Sequence, residues 1–134
     1  MAFAYLGFSD KALEYYRMIN PIEHSRTKEQ AKKYKVEPYV IAADIYGTKN
    51  LIGRGGWTWY TGSSSWFYKV GIENILGLKI KNNVLKIEPC IPTQWKEYSI
   101  KYRYKTSIYN IKIKNQNSKA MRSRKIYSKW RRNK

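Results

Sequence analysis

The residues best suited to chemistry lie in one run, Gly53-Arg54-Gly55-Gly56-Trp57-Thr58-Trp59-Tyr60-Thr61-Gly62-Ser63. Glycines at 53, 55 and 56 reach backbone angles closed to other residues and let a main chain approach a ligand. Trp57, Trp59 and Tyr60 offer flat apolar faces with polar tips, which suits the C–H face of a pyranose ring. Thr61-Gly62-Ser63 leads into an apolar pattern of helical period over residues 64–76, so its amides stand at a helix N-terminus. There, unpaired N–H groups and the positive end of the helix dipole favour an anion. The same letters also spell a plainer feature: a capped Gly-rich turn whose tryptophans are core.

The elements that must hold this run divide along the chain, helical in pattern first and strand-like afterwards. Gly7 ends a first helical piece, and Ser9 or Asp10 caps the next, in which Ala12, Tyr15, Tyr16 and Ile19 recur at helical spacing before Pro21 stops it. Thr27 and Gln30 have capping-box spacing. Glu37 before Pro38 is extended, and Pro38 opens another helix to about residue 46. Gly77 closes the helix over residues 64–76. Beyond it, Asn82-Asn83 suits a hairpin turn. Residues 98–105 and 108–114 alternate apolar and polar side chains around a turn at Thr106-Ser107. Trp66 reads as core and Trp95 as packing in the strand region.

Charge is the broadest signal, with 27 Lys and Arg against 9 Asp and Glu, a net +18. Such a field draws polyanions, but the basic residues are spread along the chain and no nucleic-acid motif accompanies them. The tail, residues 116–134, is basic and free of acids, and it reads as a solvated terminus. Cys90, the single cysteine, excludes an internal disulfide and sits between prolines in an apolar stretch that implies burial. One Cys and one His exclude a familiar zinc set. The apolar opening run lacks a basic leader and falls short of the roughly 20 residues that span a bilayer.

Several motifs occur in one order: Asn20-Pro21-Ile22-Glu23-His24-Ser25, then Glu37-Pro38-Tyr39-Val40 through Asp44-Ile45-Tyr46, the GRGGWTWYTG run, and Leu85-Lys86-Ile87-Glu88-Pro89 through Trp95. Together they resemble the C-terminal part of glycoside hydrolase family 94, the inverting sugar phosphorylases and the phosphorylase-like end of cyclic β-1,2-glucan synthases. The GRGGWTWYTG form is similar to the β-1,2-glucan branch. The resemblance covers most of residues 1–115 and implies an α-then-β fold: the last helices of an (α/α)6 toroid barrel over residues 1–77, then part of a jelly-roll β-sandwich over 78–115, then the basic tail.

What the resemblance implies chemically is phosphorolysis. Thr61 and Gly62 match the family's phosphate-contacting pair, with Trp57, Trp59, Tyr60, Arg54, Glu37 and Tyr39 as sugar-binding candidates. No catalytic residue is assigned, because the family's general-acid aspartate and phosphate-holding histidine lie upstream of the matched part. Asp44 is not that acid, and His24, in a different motif, reads as loop packing. The implied partners are a β-glucan or oligosaccharide, inorganic phosphate as co-substrate with no cofactor or metal, and the upstream remainder of a longer enzyme. The implied setting is the cytoplasm, or the cytoplasmic side of a membrane-bound synthase. Two other readings stand beside this one, a non-catalytic carbohydrate-binding module and a basic nucleic-acid-binding protein.

Overall fold

The computed structural model describes residues 1–37, 39–59, 62–82, 84–115 and 126–128. They form two compact units, one from residues 14–73 and one from residues 1–13 with 74 onward. Helices come first and antiparallel strands follow, the α-then-β order expected from the pattern of the chain.

In the first unit, α2 (Ser9–Ile19) runs in from the other unit and ends before Pro21. Proline is tolerated at a helix's first position, so it also opens the short α3 (Pro21–His24), with the Asn20 side chain accepting the Ile22 amide at 3.1 Å. Thr27 and Gln30 form the expected capping box at the start of α4 (Lys28–Tyr34), each side chain accepting the other residue's amide. Tyr34, at 2 % exposure, and Val40 are its buried apolar anchors.

Residues 39–46 depart from the expected helix. A turn closes from the Val40 amide to the Glu37 carbonyl at 3.3 Å, and the chain then runs extended. β1 (Asp44–Ile45) pairs antiparallel with β2 (Gly55–Gly56). The physical reason is a competition between local pattern and tertiary pairing. Val40, Ile41 and Ile45 are β-branched and lose rotamer freedom in a helix, while Gly55-Gly56 presents bare backbone that a neighbouring strand can pair with closely. Past the loop, α5 (Ser63–Lys69) continues into a π-helical turn, Val70–Ile75. Phe67 stacks on Tyr16, ring centroids 4.0 Å apart and nearly parallel. Gly71 passes the Tyr16 hydroxyl so closely that a Cβ there would lie 2.7 Å from it.

The second unit begins with α1 (Ala2–Leu6), ended by Gly7 in the left-handed region as expected. Gly77, φ 77°, closes the helical segment and lies against the backbone of Glu88 and Pro89, leaving no space for a Cβ. β3 (Leu78–Lys81) and β4 (Val84–Ile87) pair antiparallel, with Asn82 after β3 at φ 51°; β7 (Ile126–Ser128) adds to the far edge of β4. β5 (Glu97–Tyr104) and β6 (Ser107–Lys114) form a second antiparallel pair.

Its turn lies at Lys105-Thr106, one residue earlier than the alternation suggested, with Lys105 at φ 53°. Register explains the shift. In this pairing Tyr98 faces Ile113, Ile100 faces Ile111 and Tyr102 faces Tyr109, so these apolar residues share one side; Ile108, opposite Arg103 and exposed, is the exception. Slipping by one residue would set them against Lys and Asn. Leu13, Ile75, Leu78, Leu85, Ile87, Cys90, Ile91 and Ile113 are buried in this unit. Asp10 accepts the Thr93 amide at 3.1 Å, and the Tyr98 hydroxyl donates to the Leu76 carbonyl at 2.6 Å.

Candidate sugar and phosphate site

Three of the expected site residues come together. The Trp59 indole N–H donates to the Glu37 carboxylate at 3.3 Å, and the Trp59 ring meets the Tyr39 ring at 5.7 Å between centroids, tilted 60°. Both rings are open to solvent, Tyr39 at 68 % and Trp59 at 62 %, and Trp57 is 67 % exposed. The plainer expectation that these tryptophans are core is therefore corrected. Apolar burial does not account for them. A carboxylate and a phenol beside two exposed ring faces have the chemistry that a sugar subsite needs: acceptors and donors for hydroxyls, and a platform for C–H groups.

The backbone is also unusual here. Trp57 and Trp59 both have positive φ, 53° and 65°. A bulky side chain in the left-handed region costs about 1–3 kcal/mol, and such strain gathers where a fold holds a functional geometry. The glycines have other reasons than the one first assigned. Of the three, only Gly53, φ 82°, uses a positive angle. A Cβ on Gly55 would run into Val36 and Tyr34, and one on Gly56 into the Tyr46 hydroxyl and the Asp44 carboxylate. Gly55 and Gly56 are thus close-packing positions covered by side chains, and they are buried. They fix where the aromatic run begins.

Gly62 stands at the start of α5 with φ 91°, exposed, and provides no side-chain cap. Its carbonyl accepts the Trp66 amide and the Ser65 hydroxyl, both at 2.9 Å. Tyr60 and Thr61 lie outside the described residues. Arg54 is set apart from the aromatic group: its side chain lines a cleft with Lys32, Lys33 and Lys35. In sequence those lysines belong to a charge spread along the chain. The Lys32-Lys33-Tyr34-Lys35 run was the available signal, but nothing local showed that the loop carrying Arg54 would return to it.

Neighbouring residues have structural roles. His24 Nε2 lies 2.6 Å from the Met18 carbonyl, which can only accept, so Nε2 carries the proton; the ring stacks on Tyr34 at 4.8 Å. That matches the loop-packing role expected for it. Burial pushes the Tyr34 phenol up, opposed by a hydrogen bond with the Ala42 backbone. Trp66 corrects a second expectation. It is 57 % exposed, with the Lys69 ammonium 5.7 Å from its ring, because α5 turns Phe67 towards Tyr16 and the preceding position, about 100° away around the helix, faces elsewhere. Cys90 is buried as expected, and burial with the nearby Asp10 charge pushes its thiol up. Among the described residues, no three His, Cys, Asp or Glu side chains gather where they could hold a metal ion, and no helix is long and apolar enough to cross a membrane.

Residues 1–77 match the family model described as the catalytic domain of the glycosyl hydrolase 94 superfamily. The chain belongs to this family. Residues 78–123 match the C-terminal domain of glycosyl hydrolase family 65, in agreement with the antiparallel sheets found there. Among curated relatives, the chain is 44 % identical over 113 residues to cyclic beta-(1,2)-glucan synthase NdvB of Rhizobium meliloti, covering 84 % of this chain and 4 % of the relative. It is 32 % identical over 126 residues to N,N'-diacetylchitobiose phosphorylase of Vibrio furnissii, covering 92 % and 15 %. It is 29 % identical over 118 residues to solabiose phosphorylase of Paenibacillus borealis, covering 83 % and 14 %. The chain thus spans less than a sixth of the length of each.

Proposed function

We propose that this family 94 chain is the C-terminal piece of an inverting β-glucan or oligosaccharide phosphorylase, or of a cyclic β-1,2-glucan synthase. In this reading it supplies phosphate- and sugar-binding residues in carbohydrate metabolism. Residues 1–77 contribute the last helices of an (α/α)6 barrel, and the later strands contribute part of a jelly-roll sandwich. The reaction takes place in the cytoplasm or on the cytoplasmic side of a membrane-bound synthase. The observation that carries the reading is the Glu37–Trp59–Tyr39 cluster standing just before a helix start that lacks a side-chain cap.

In inverting phosphorolysis, phosphate attacks the anomeric carbon while a carboxylic acid protonates the departing glycosidic oxygen. An inverting hydrolase needs a second carboxylate to activate water. Phosphate already carries the charge and needs positioning instead, so one acid suffices. Positioning is what this chain offers: Thr61 through its hydroxyl, Gly62 through its amide, and the dipole of the helix behind them. Trp57, Trp59, Tyr60, Glu37 and Tyr39 hold the sugar. The acid comes from the upstream remainder of the enzyme, so the chain by itself turns over no glucan.

Removing the Thr61 hydroxyl tests the assignment. Thr61→Val, in an enzyme that carries this segment with its upstream part, raises the KM for phosphate by about tenfold, the worth of one charge-assisted hydrogen bond. The melting temperature stays unchanged. Unaltered phosphate kinetics would refute the role. The exposed Trp57, Trp59 and Tyr39 rings also support a second reading, a binding module that holds glucan without phosphate. It is separated from the first by whether phosphate changes glucan affinity.

A further inference from the structure

Between the end of α4 and the loop that leads into β2 lies a cleft of about 180 Å³. Lys32, Lys33, Lys35 and Arg54 line it, with Leu51 and Ile52 as its apolar part; the remaining lining residue is Asn50, a hydrogen-bonding amide, and no acidic side chain takes part. Among the described residues none of these four cations forms an ion pair. Lysines in the last turn of a helix are partly explained by the dipole of that helix. Lys35, the C-cap of α4, shares that explanation; Arg54, on the facing loop, does not.

The cleft is also built. Gly53, φ 82°, leaves the space in which the Lys33 side chain lies: a Cβ there would be 2.6 Å from Lys33 Cε and 3.2 Å from its Nζ. The Arg54 amide closes a turn onto the Leu51 carbonyl at 2.9 Å, and the Gly53 amide donates to the Tyr46 carbonyl at 2.9 Å, which fixes the shape of the loop. Like charges drawn together in this way repel one another until an anion neutralises them. A guanidinium fork with ammonium groups is the set that binds phosphate oxygens.

We infer that this cleft is a binding site for a phosphate dianion, best filled by a small phosphate monoester, apart from the Thr61–Gly62 turn. The cations take the phosphate oxygens, and Leu51 and Ile52 take the carbon skeleton of the ester. Arg54 then serves an anion instead of a sugar hydroxyl. The inference does not depend on the phosphorolytic reading, because the residues that carry it lie outside the aromatic cluster and the α5 start.

Residue-resolved NMR titration of the full chain tests it, with orthophosphate, glucose 1-phosphate, glucose and potassium chloride added in parallel at matched ionic strength. The expected result is saturable shifts of the amides at 32–35 and 50–54 with both phosphates and none with glucose or chloride. Tighter binding of glucose 1-phosphate assigns the ester as the source, and equal binding assigns free phosphate. Lys33→Met keeps the stem over Gly53 and removes the charge, and combined with Arg54→Gln it weakens the phosphate Kd by about tenfold or more. Arg54→Gln alone gives a smaller loss in the same direction. Shifts that chloride reproduces, shifts that survive the double variant, or no shifts at these amides would overturn the site. Phosphate shifts confined to 62–65 would overturn it while leaving the Thr61–Gly62 reading intact.

Discussion

The two strand pairs β1–β2 and β5–β6 are built on opposite principles. β5–β6 runs through eight facing positions, with apolar residues on one side and Ser99, Lys101, Arg103 and Lys112 on the other. Its register follows from its own alternation. β1–β2 has two facing positions and is held by what lies over it, Tyr34 and Val36 against Gly55, and Tyr46 and Asp44 against Gly56. The regular ladder serves as framework. The short pair breaks the local rules, and the strained Trp57 and Trp59 follow directly from it. Departures from local preference are expected to gather at functional sites, and here they lie beside the candidate sugar surface.

The comparison breaks most sharply at its glycines. Gly55→Val has nowhere to place its side chain and costs about 3 kcal/mol or more by overpacking, read as a fall in the melting temperature. Gly47→Ala, with nothing within 4 Å of the added carbon, is expected within about 0.5 kcal/mol of the parent. If the two variants melted alike, β1–β2 would not be set by packing.

Relieving the strain sharpens the contrast further. Trp59→Gly removes a bulky side chain from φ 65° and is expected to stabilise the fold by about 1 kcal/mol, while glucan binding falls by about tenfold or more, as for an aromatic anchor. Lower stability together with unchanged binding would make Trp59 a packing residue.

A smaller effect belongs to the β5–β6 unit. Burial raises the Tyr98 phenol well above its ordinary value. A group whose pKa is raised by folding contributes stability in full below its unfolded pKa of about 10 and loses it as pH rises towards the folded one. The stability of the parent, read by chemical denaturation, should therefore fall above about pH 10. Tyr98→Phe reduces that alkaline dependence, to which Tyr34 and Cys90 also contribute, and costs about 1–2 kcal/mol at neutral pH, since the Leu76 carbonyl loses its donor. An unchanged alkaline profile would mean that another group dominates.

Legibility in the sequence follows the same division. Gly7, the Thr27–Gln30 capping box, Gly77 and the Asn82 turn carry their mechanism within a few residues, and all were visible. The helix expected over 39–46 was not borne out, because the pairing of Asp44–Ile45 with Gly55–Gly56 joins residues far apart in sequence. The same non-local return hid the Lys32, Lys33, Lys35 and Arg54 cleft, and the packing of Phe67 on Tyr16, equally non-local, turned Trp66 outward. At the candidate site, residue type pointed to Trp59, and the family resemblance to Glu37 and Tyr39. Their meeting, and the left-handed backbone of the tryptophans, required the fold.

The central claim is that one turn holds phosphate beside a sugar resting on Trp59, Tyr39 and Glu37. Its most direct test is calorimetric titration of this chain with a β-1,2-linked gluco-oligosaccharide, with and without phosphate at matched ionic strength, while the amides at 62–65 are followed by NMR. Adjacent sites in one pocket are coupled reciprocally. The account predicts that phosphate tightens sugar binding, that sugar tightens phosphate binding by the same factor, and that the 62–65 amides shift with phosphate. Sugar affinity indifferent to phosphate, with those amides unmoved, would contradict it.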